Sequence, residues 1–184
     1  MACIYVIQTL TSGSHGYPYD EIVEIGICSV DLEAMSYELV YSNTVGYDPK
    51  VLGKTKLDYL SEKHRFYAGD LYAGEPEKKV ADEVMDLIYG KDLACYEAKQ
   101  VFSRYMTCDP WDITGKAYVL PSISARMPIS LKCKDPSDEP DIIRKAYRRL
   151  LKNDPAGVRN GRRAADLAKM SACVMIHMRE KGKY

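Results

Sequence analysis

The sequence predicts an α/β fold: a mixed five-stranded sheet with helices on both faces. Residues 22–30 are mostly β-branched and end at Asp31, which is typical of a central, buried strand. Residues 32–36 resemble a hairpin turn, so the strands on either side of it are predicted to be antiparallel. A helical pattern over residues 76–89 precedes the fourth strand. We therefore expect three antiparallel strands, followed by two strands parallel to the first.

The remaining elements follow from local patterns. Residues 8–19 are rich in Gly, Ser, Thr and Pro and are predicted to join the first two strands, and residues 122–139 are predicted to form a surface connection. The five strands are predicted at residues 3–7, 20–31, 37–45, 92–96 and 117–120. The helices are predicted at residues 76–89, 97–105, 139–151 and 161–180, with a short one around 57–64.

Length and composition indicate one domain over residues 1–184, because 184 residues with 46% hydrophobic content can form one real core. No apolar run reaches the ~20 residues of a membrane span, and no leader pattern opens the chain. We therefore expect a soluble cytoplasmic protein. The six cysteines show no C-x-x-C spacing and are interpreted as reduced thiols rather than zinc ligands, and the three histidines form no metal set.

Charge is unevenly distributed along the chain. From Arg126 onward there are 15 Lys/Arg and 7 Asp/Glu, so this helical part carries a net charge of +8, and the preceding part carries −8. The predicted helix 139–151 presents a polar face of five cations: Arg144, Lys145, Arg148, Arg149 and Lys152. Such a face is either an ordinary solvated surface or a polyanion-binding surface.

Two stretches near the N-terminus carry a family resemblance. Residues 6–13 read Val-Ile-Gln-Thr-Leu-Thr-Ser-Gly, and residues 20–26 read Asp-Glu-Ile-Val-Glu-Ile-Gly. They resemble the opening of the 3′–5′ exonucleases of the proofreading-subunit (DnaQ-like) type, in the ribonuclease H-like superfamily. That family opens with Asp-x-Glu-Thr-x-Gly and continues Asp-Glu-Ile-Ile-Glu-Ile-Gly. The resemblance implies a ribonuclease H-like fold.

The same resemblance implies that the catalytic residues are missing. The family's carboxylates correspond to Gln8, Leu10, Val101 and Leu167, and its general-base His corresponds to Arg162. The family's reaction uses two divalent ions, which need a cluster of anionic oxygens. The resemblance therefore implies a pseudo-exonuclease with no catalytic residues, no metal and no cofactor. The alternative is an active exonuclease that uses Mg²⁺ or Mn²⁺ held by relocated ligands among Asp20, Glu24, Glu97 and Asp166.

A pseudo-exonuclease would act by binding. We expect its partner to be either single-stranded nucleic acid or another protein. The nucleic-acid contacts are predicted along a set of arginines in the basic part of the chain: Arg144, Arg148, Arg149, Arg159 and Arg162.

Overall fold

A computed structural model describes residues 3–158 and 160–184. Its centre is a mixed sheet of six strands in the order β4-β3-β2-β1-β5-β6. The strands are β1 (Ile4–Thr11), β2 (Ile22–Asp31), β3 (Ser36–Gly46), β4 (Glu75–Pro76), β5 (Asp92–Ala94) and β6 (Tyr118–Val119). β1, β2 and β3 are antiparallel neighbours, and β5 and β6 run parallel to β1. The predicted topology is confirmed, with one strand added.

The added strand, β4, contains only two residues and pairs in parallel with the end of β3. Two residues carry no periodic signal, and one of them is Pro76, so the sequence offered no basis for predicting a strand here. β1 is longer than predicted, because residues 8–11 continue the strand and pair with β2 as far as Ile22. The prediction that the connecting loop begins at Gln8 is therefore wrong.

Helices cover both faces of the sheet. The described residues form seven helices: α1 (Pro49–Leu52), α2 (Lys54–Tyr59), α3 (Ala68–Ala73), α4 (Glu77–Ile88), α5 (Ala98–Tyr105), α6 (Glu139–Leu150) and α7 (Ala164–Glu180). A π-helical turn, Leu60–His64, extends α2, and three short 3₁₀ turns lie within residues 123–138. The four main predicted helices are confirmed to within a few residues at their ends, and α1 and α3 were not predicted.

The sheet separates two hydrophobic cores. One core contains Val23 and Val30 of β2 and the buried side of α6 and α7. The other contains Ile25 and Ile27 of β2 and the buried sides of α4 and α5. Because successive side chains of a strand point to opposite faces, β2 can supply apolar residues to both cores, which explains its nearly continuous β-branched run. Among the described residues, no helix is long and apolar enough to span a bilayer.

α7 approaches the sheet most closely at Gly26. A Cβ on Gly26 would lie only 2.6 Å from the backbone carbonyl carbon of Ala164 and 2.6 Å from the backbone nitrogen of Ala165. This contact brings the first turn of α7 directly onto β2. It also places Leu167 beside β1, where the candidate site lies.

Candidate functional site

The candidate site lies where β1 meets α7, at the positions of the family's metal ligands. Gln8 and Leu10 are on the same side of β1 as α7, because alternate residues of a strand share a face. Leu10 and Leu167 are fully buried in the core beneath α6 and α7. Gln8 is also buried, and its Nε2 donates a hydrogen bond of 3.2 Å to Ser171 Oγ on α7. These three positions are thus absorbed into packing between the strand and the helix.

Val101, the fourth ligand position, does not join them. It is buried in the other core, on the α4 and α5 side of the sheet. Arg162, which the resemblance aligns with the family's general base, lies just before α7 and is partly exposed. The structure thus brings Gln8, Leu10 and Leu167 together and leaves Val101 in a separate apolar environment.

A small cavity of about 20 Å³ remains between these elements. Such a volume holds about one water molecule. Its wall is mostly polar and comes from β1, the α2 extension, α5 and α6. The lining residues are Gln8, Thr9, Thr11, Tyr59, His64, Gln100, Tyr105, Glu139, Pro140 and Leu167.

Two titratable groups in this wall, Glu139 and His64, have pKa values that make them mostly neutral near pH 7. Burial raises the pKa of Glu139 to about 8, although its Oε1 accepts a hydrogen bond of 3.2 Å from the Glu97 amide. Burial, followed by the charge of Arg144, lowers the pKa of His64 to about 4. His64 Nε2 and Gln100 Oε1 have no hydrogen-bond partner among the residues that the structure describes. The sequence predicted no metal set among the histidines, and it gave no signal for the position of His64 in this wall.

The donor set does not fit a pair of divalent ions. Mg²⁺ and Mn²⁺ favour several anionic oxygens, and this cavity offers one carboxyl group, which is protonated at neutral pH. Within residues 3–158 and 160–184, no group of three His, Cys, Asp or Glu side chains is placed to hold a metal ion.

Glu24, one of the candidate relocated ligands, has a structural role. It is 4% exposed, its Oε1 accepts from Arg163 Nε at 2.7 Å, and its Oε2 accepts from the Ala164 amide at 2.7 Å. Arg163 also donates to Asp70 Oδ1 at 2.9 Å and lies over the Phe66 ring. We call Glu24, Arg163 and Asp70 the clamp, since it joins β2, α3 and the first turn of α7.

The other three candidate carboxylates are also engaged, each in a different place. Asp20 accepts from the His15 amide at 2.7 Å within the loop after β1. Glu97 accepts from the Ser124 hydroxyl, and Asp166 accepts from the Arg163 amide at 3.4 Å as part of the helix cap. The structure does not bring Asp20, Glu97 and Asp166 together.

The predicted nucleic-acid-binding arginines occupy different environments. The prediction that Arg144 belongs to the exposed face of α6 is wrong, because it is 6% exposed and is paired with Asp141. Arg148 is exposed and donates to Asn160 Oδ1 at 2.9 Å, and Arg149 is exposed and contacts Ser130 Oγ at 3.4 Å. Arg159 lies outside the described residues. Arg148, Arg149 and the partly exposed Arg162 thus remain accessible.

Comparison with known proteins shows the fold. The sequence matches no protein-family model and no curated protein. Among solved structures, a 3′-exonuclease described in the 3′-end-specific recognition of histone mRNA stem-loop aligns with a TM-score of 0.58 at 16% identity, over 98% of this chain and 82% of that one. The nuclease domain of 3′hExo, a DEDDh family member bound to rAMP, aligns with a TM-score of 0.55 at 15% identity, over 98% of this chain and 92% of that one.

E. coli Exonuclease I in complex with a 5cy-dT13 oligonucleotide is also similar, with a TM-score of 0.54 and 12% identity. The alignment covers 98% of this chain but only 41% of that one. At these identities the likeness concerns architecture. The chain has the ribonuclease H-like fold of the 3′-exonucleases, as its N-terminal motifs predicted.

Proposed function

We propose that this protein is an exonuclease-like module that binds nucleic acid without cutting it. The carrying observation is the complete burial of Leu10 and Leu167 at positions where the family has metal-binding carboxylates. Two divalent ions held about 4 Å apart repel each other strongly and require several negative oxygens to offset that repulsion. A neutral cavity of about 20 Å³ supplies neither the charge nor the space.

Catalysis would also need a base for the attacking water. Arg162 stands at the family's His position, and a guanidinium group does not accept a proton. His64 is a weak base, because burial and then the charge of Arg144 lower its pKa to about 4. Nucleic-acid binding is supported by Arg148 and Arg149, which are exposed on the basic part of the chain.

The test combines cutting and binding on one preparation. We expect no nucleotide release from labelled DNA or RNA with Mg²⁺ or Mn²⁺, and salt-sensitive binding to the same substrates in fluorescence anisotropy. The Arg148→Glu/Arg149→Glu variant should lose most of the binding and keep its melting temperature nearly unchanged, since exposed charges contribute little to stability. Nucleotide release that a metal chelator abolishes would instead show that the protein is an active metal-dependent exonuclease.

A protein partner is the second candidate, favoured by the outer edge of the sheet. β6 is an edge strand, and its Tyr118 and Val119 are 68% and 48% exposed. Exposed apolar side chains on an open edge are typical of protein contacts. Absence of any oligonucleotide binding, together with a partner whose retention is lost in the Tyr118→Ser/Val119→Ser variant, would favour this function.

A further inference from the structure

A second basic surface surrounds Ser130, in the connection that the sequence assigned to no function. It combines the 3₁₀ turns before α6 with the exposed side of α6 itself. Lys145 Nζ donates to the Ser130 carbonyl at 3.1 Å, and Arg149 Nη1 contacts Ser130 Oγ at 3.4 Å. We call this surface the Ser130 patch. Besides Lys145 and Arg149, it includes the cations that lie within four residues of Ser130 along the chain and are exposed or partly exposed: Arg126, Lys132 and Lys134.

The positive charge of the Ser130 patch is not compensated by carboxylates. In the part of the chain that the structure describes, none of its five cations forms an ion pair, and Lys132 Nζ instead donates to the Ala125 carbonyl at 2.9 Å. Of the nearby acids, Asp141 is paired with Arg144, whereas Asp135 accepts a hydrogen bond from Ser137 and keeps its negative charge. The five cations of the patch nevertheless outnumber the acids of the same connection, Asp135 and Asp138. By contrast, two lysines on α4 are paired, Lys78 with Asp82 and Lys79 with Glu75. The Ser130 patch is therefore a strong attractor for a polyanion.

The side chains around these cations indicate which polyanion. Two aromatic residues lie near these cations, and neither presents a free ring. Tyr147 is buried and donates its hydroxyl to Asp154. Tyr184, which lines a cavity together with Arg126, is partly buried and donates its hydroxyl to the Pro121 carbonyl at 3.0 Å. Proteins that bind single strands combine cations with aromatic platforms on which the bases stack. Contacts to a duplex backbone need only cations and small donors. Ile129 is 77% exposed, but one such side chain is too small to anchor a membrane contact.

We propose that the Ser130 patch binds the phosphate backbone of a nucleic-acid duplex. This inference rests on the proposed function and deepens it, because it replaces the expected single-stranded partner with a double-stranded one. It also extends the contact surface from Arg148 and Arg149 on α6 to the turns that precede this helix.

The experiment measures anisotropy of a labelled duplex of about 20 base pairs and of its single strand, over a salt series. We expect the full chain to bind the duplex roughly tenfold more tightly than the single strand. The Lys132→Glu/Lys145→Glu variant should lose at least about tenfold in duplex affinity, and its salt slope should fall by about 2, as for two lost phosphate contacts. The Lys78→Glu/Lys79→Glu control makes the same net charge change on α4 and should stay within about twofold.

The possible outcomes separate the two proposals. Binding of neither nucleic acid form overturns the proposed function itself. Equal or tighter binding of the single strand, or equal losses in the variant and the α4 control, overturns the duplex assignment alone. Binding to phosphatidylserine vesicles but not to the duplex would overturn it in favour of a lipid surface. Should Lys132→Glu/Lys145→Glu unfold, Arg126→Glu/Lys134→Glu replaces it, because both residues are exposed.

Discussion

Replacing Glu139 with Gln should remove a pH dependence of stability that originates in the candidate cavity. The folded-state pKa of Glu139 is about 8, well above the usual value of 4.5, because the carboxyl group is buried. The folded protein therefore retains a proton that the unfolded chain has released. Stability contributed by this proton is complete below pH 4.5 and is lost progressively as pH rises to about 8.

His64 acts in the opposite direction over a lower range. Its folded-state pKa is about 4, below the usual 6.5, so the unfolded chain binds the extra proton between those values and stability rises with pH there. Each group contributes a slope of about 1.4 kcal/mol per pH unit. Between pH 4.5 and pH 6.5 the two contributions to the free energy of unfolding have opposite slopes and nearly cancel. From pH 6.5 to pH 8 only the Glu139 slope remains, which predicts a loss of roughly 2 kcal/mol.

The assay is urea unfolding at pH 6.5 and pH 8, with the free energy of unfolding extrapolated to water. Wild type should lose roughly 2 kcal/mol across this interval, and Glu139→Gln should lose little of that amount, since an amide oxygen can still accept from the Glu97 amide. Glu38→Gln, at an exposed position of β3, is the matched control and should behave like wild type. Equal pH dependence in wild type and Glu139→Gln would refute the neutral-cavity reasoning.

Three further predictions concern the clamp, the approach of α7 and the metal. Arg163→Met should reduce the free energy of unfolding by roughly 2–3 kcal/mol, somewhat less than for a fully buried pair because Arg163 is 39% exposed, and adding Glu24→Gln should recover part of the loss. Gly26→Ala should cost about 2–3 kcal/mol in chemical denaturation because its Cβ would overlap the α7 backbone, whereas Ser29→Ala on the same strand should have a small effect. The melting temperature should not respond specifically to Mg²⁺ or Mn²⁺, and a rise that scales with metal concentration and exceeds that seen with Ca²⁺ would contradict the loss of the metal site.

The sheet was predictable because its signals are local and repeated. The β-branched run of β2 and the helical pattern before β5 can each be recognised within a short stretch of sequence. Together with the motif resemblance, these local patterns predict the strand order. The end of β1 was predicted wrongly because Thr9 and Thr11 lie in a stretch rich in Gly, Ser and Thr, a composition that is typical of a loop. Pairing with β2 decides their conformation, and pairing is a long-range property.

The site was only partly predictable for the same reason. Gln8, Leu10 and Leu167, which the motifs align with the family's metal ligands, could be identified from the sequence, and the structure brings them together. The burial of Arg144 and the position of His64 depend on how α6 packs beside the α2 extension, about which neither local sequence carries a signal. The Ser130 patch could not be predicted from the sequence, because its cations belong to the turns before α6 and to α6 itself. Only the fold brings these elements together at Ser130.

The most direct test of the central claim is the anomalous scattering of Mn²⁺ in crystals of the protein grown with Mn²⁺ and a nucleic-acid duplex. We expect these crystals to contain the duplex with an intact backbone. We expect no manganese peak between Gln8, Leu10 and Leu167, because these side chains offer no anionic oxygen. One or two peaks in that cleft, coordinated by relocated carboxylates beside a cleaved strand, would contradict it.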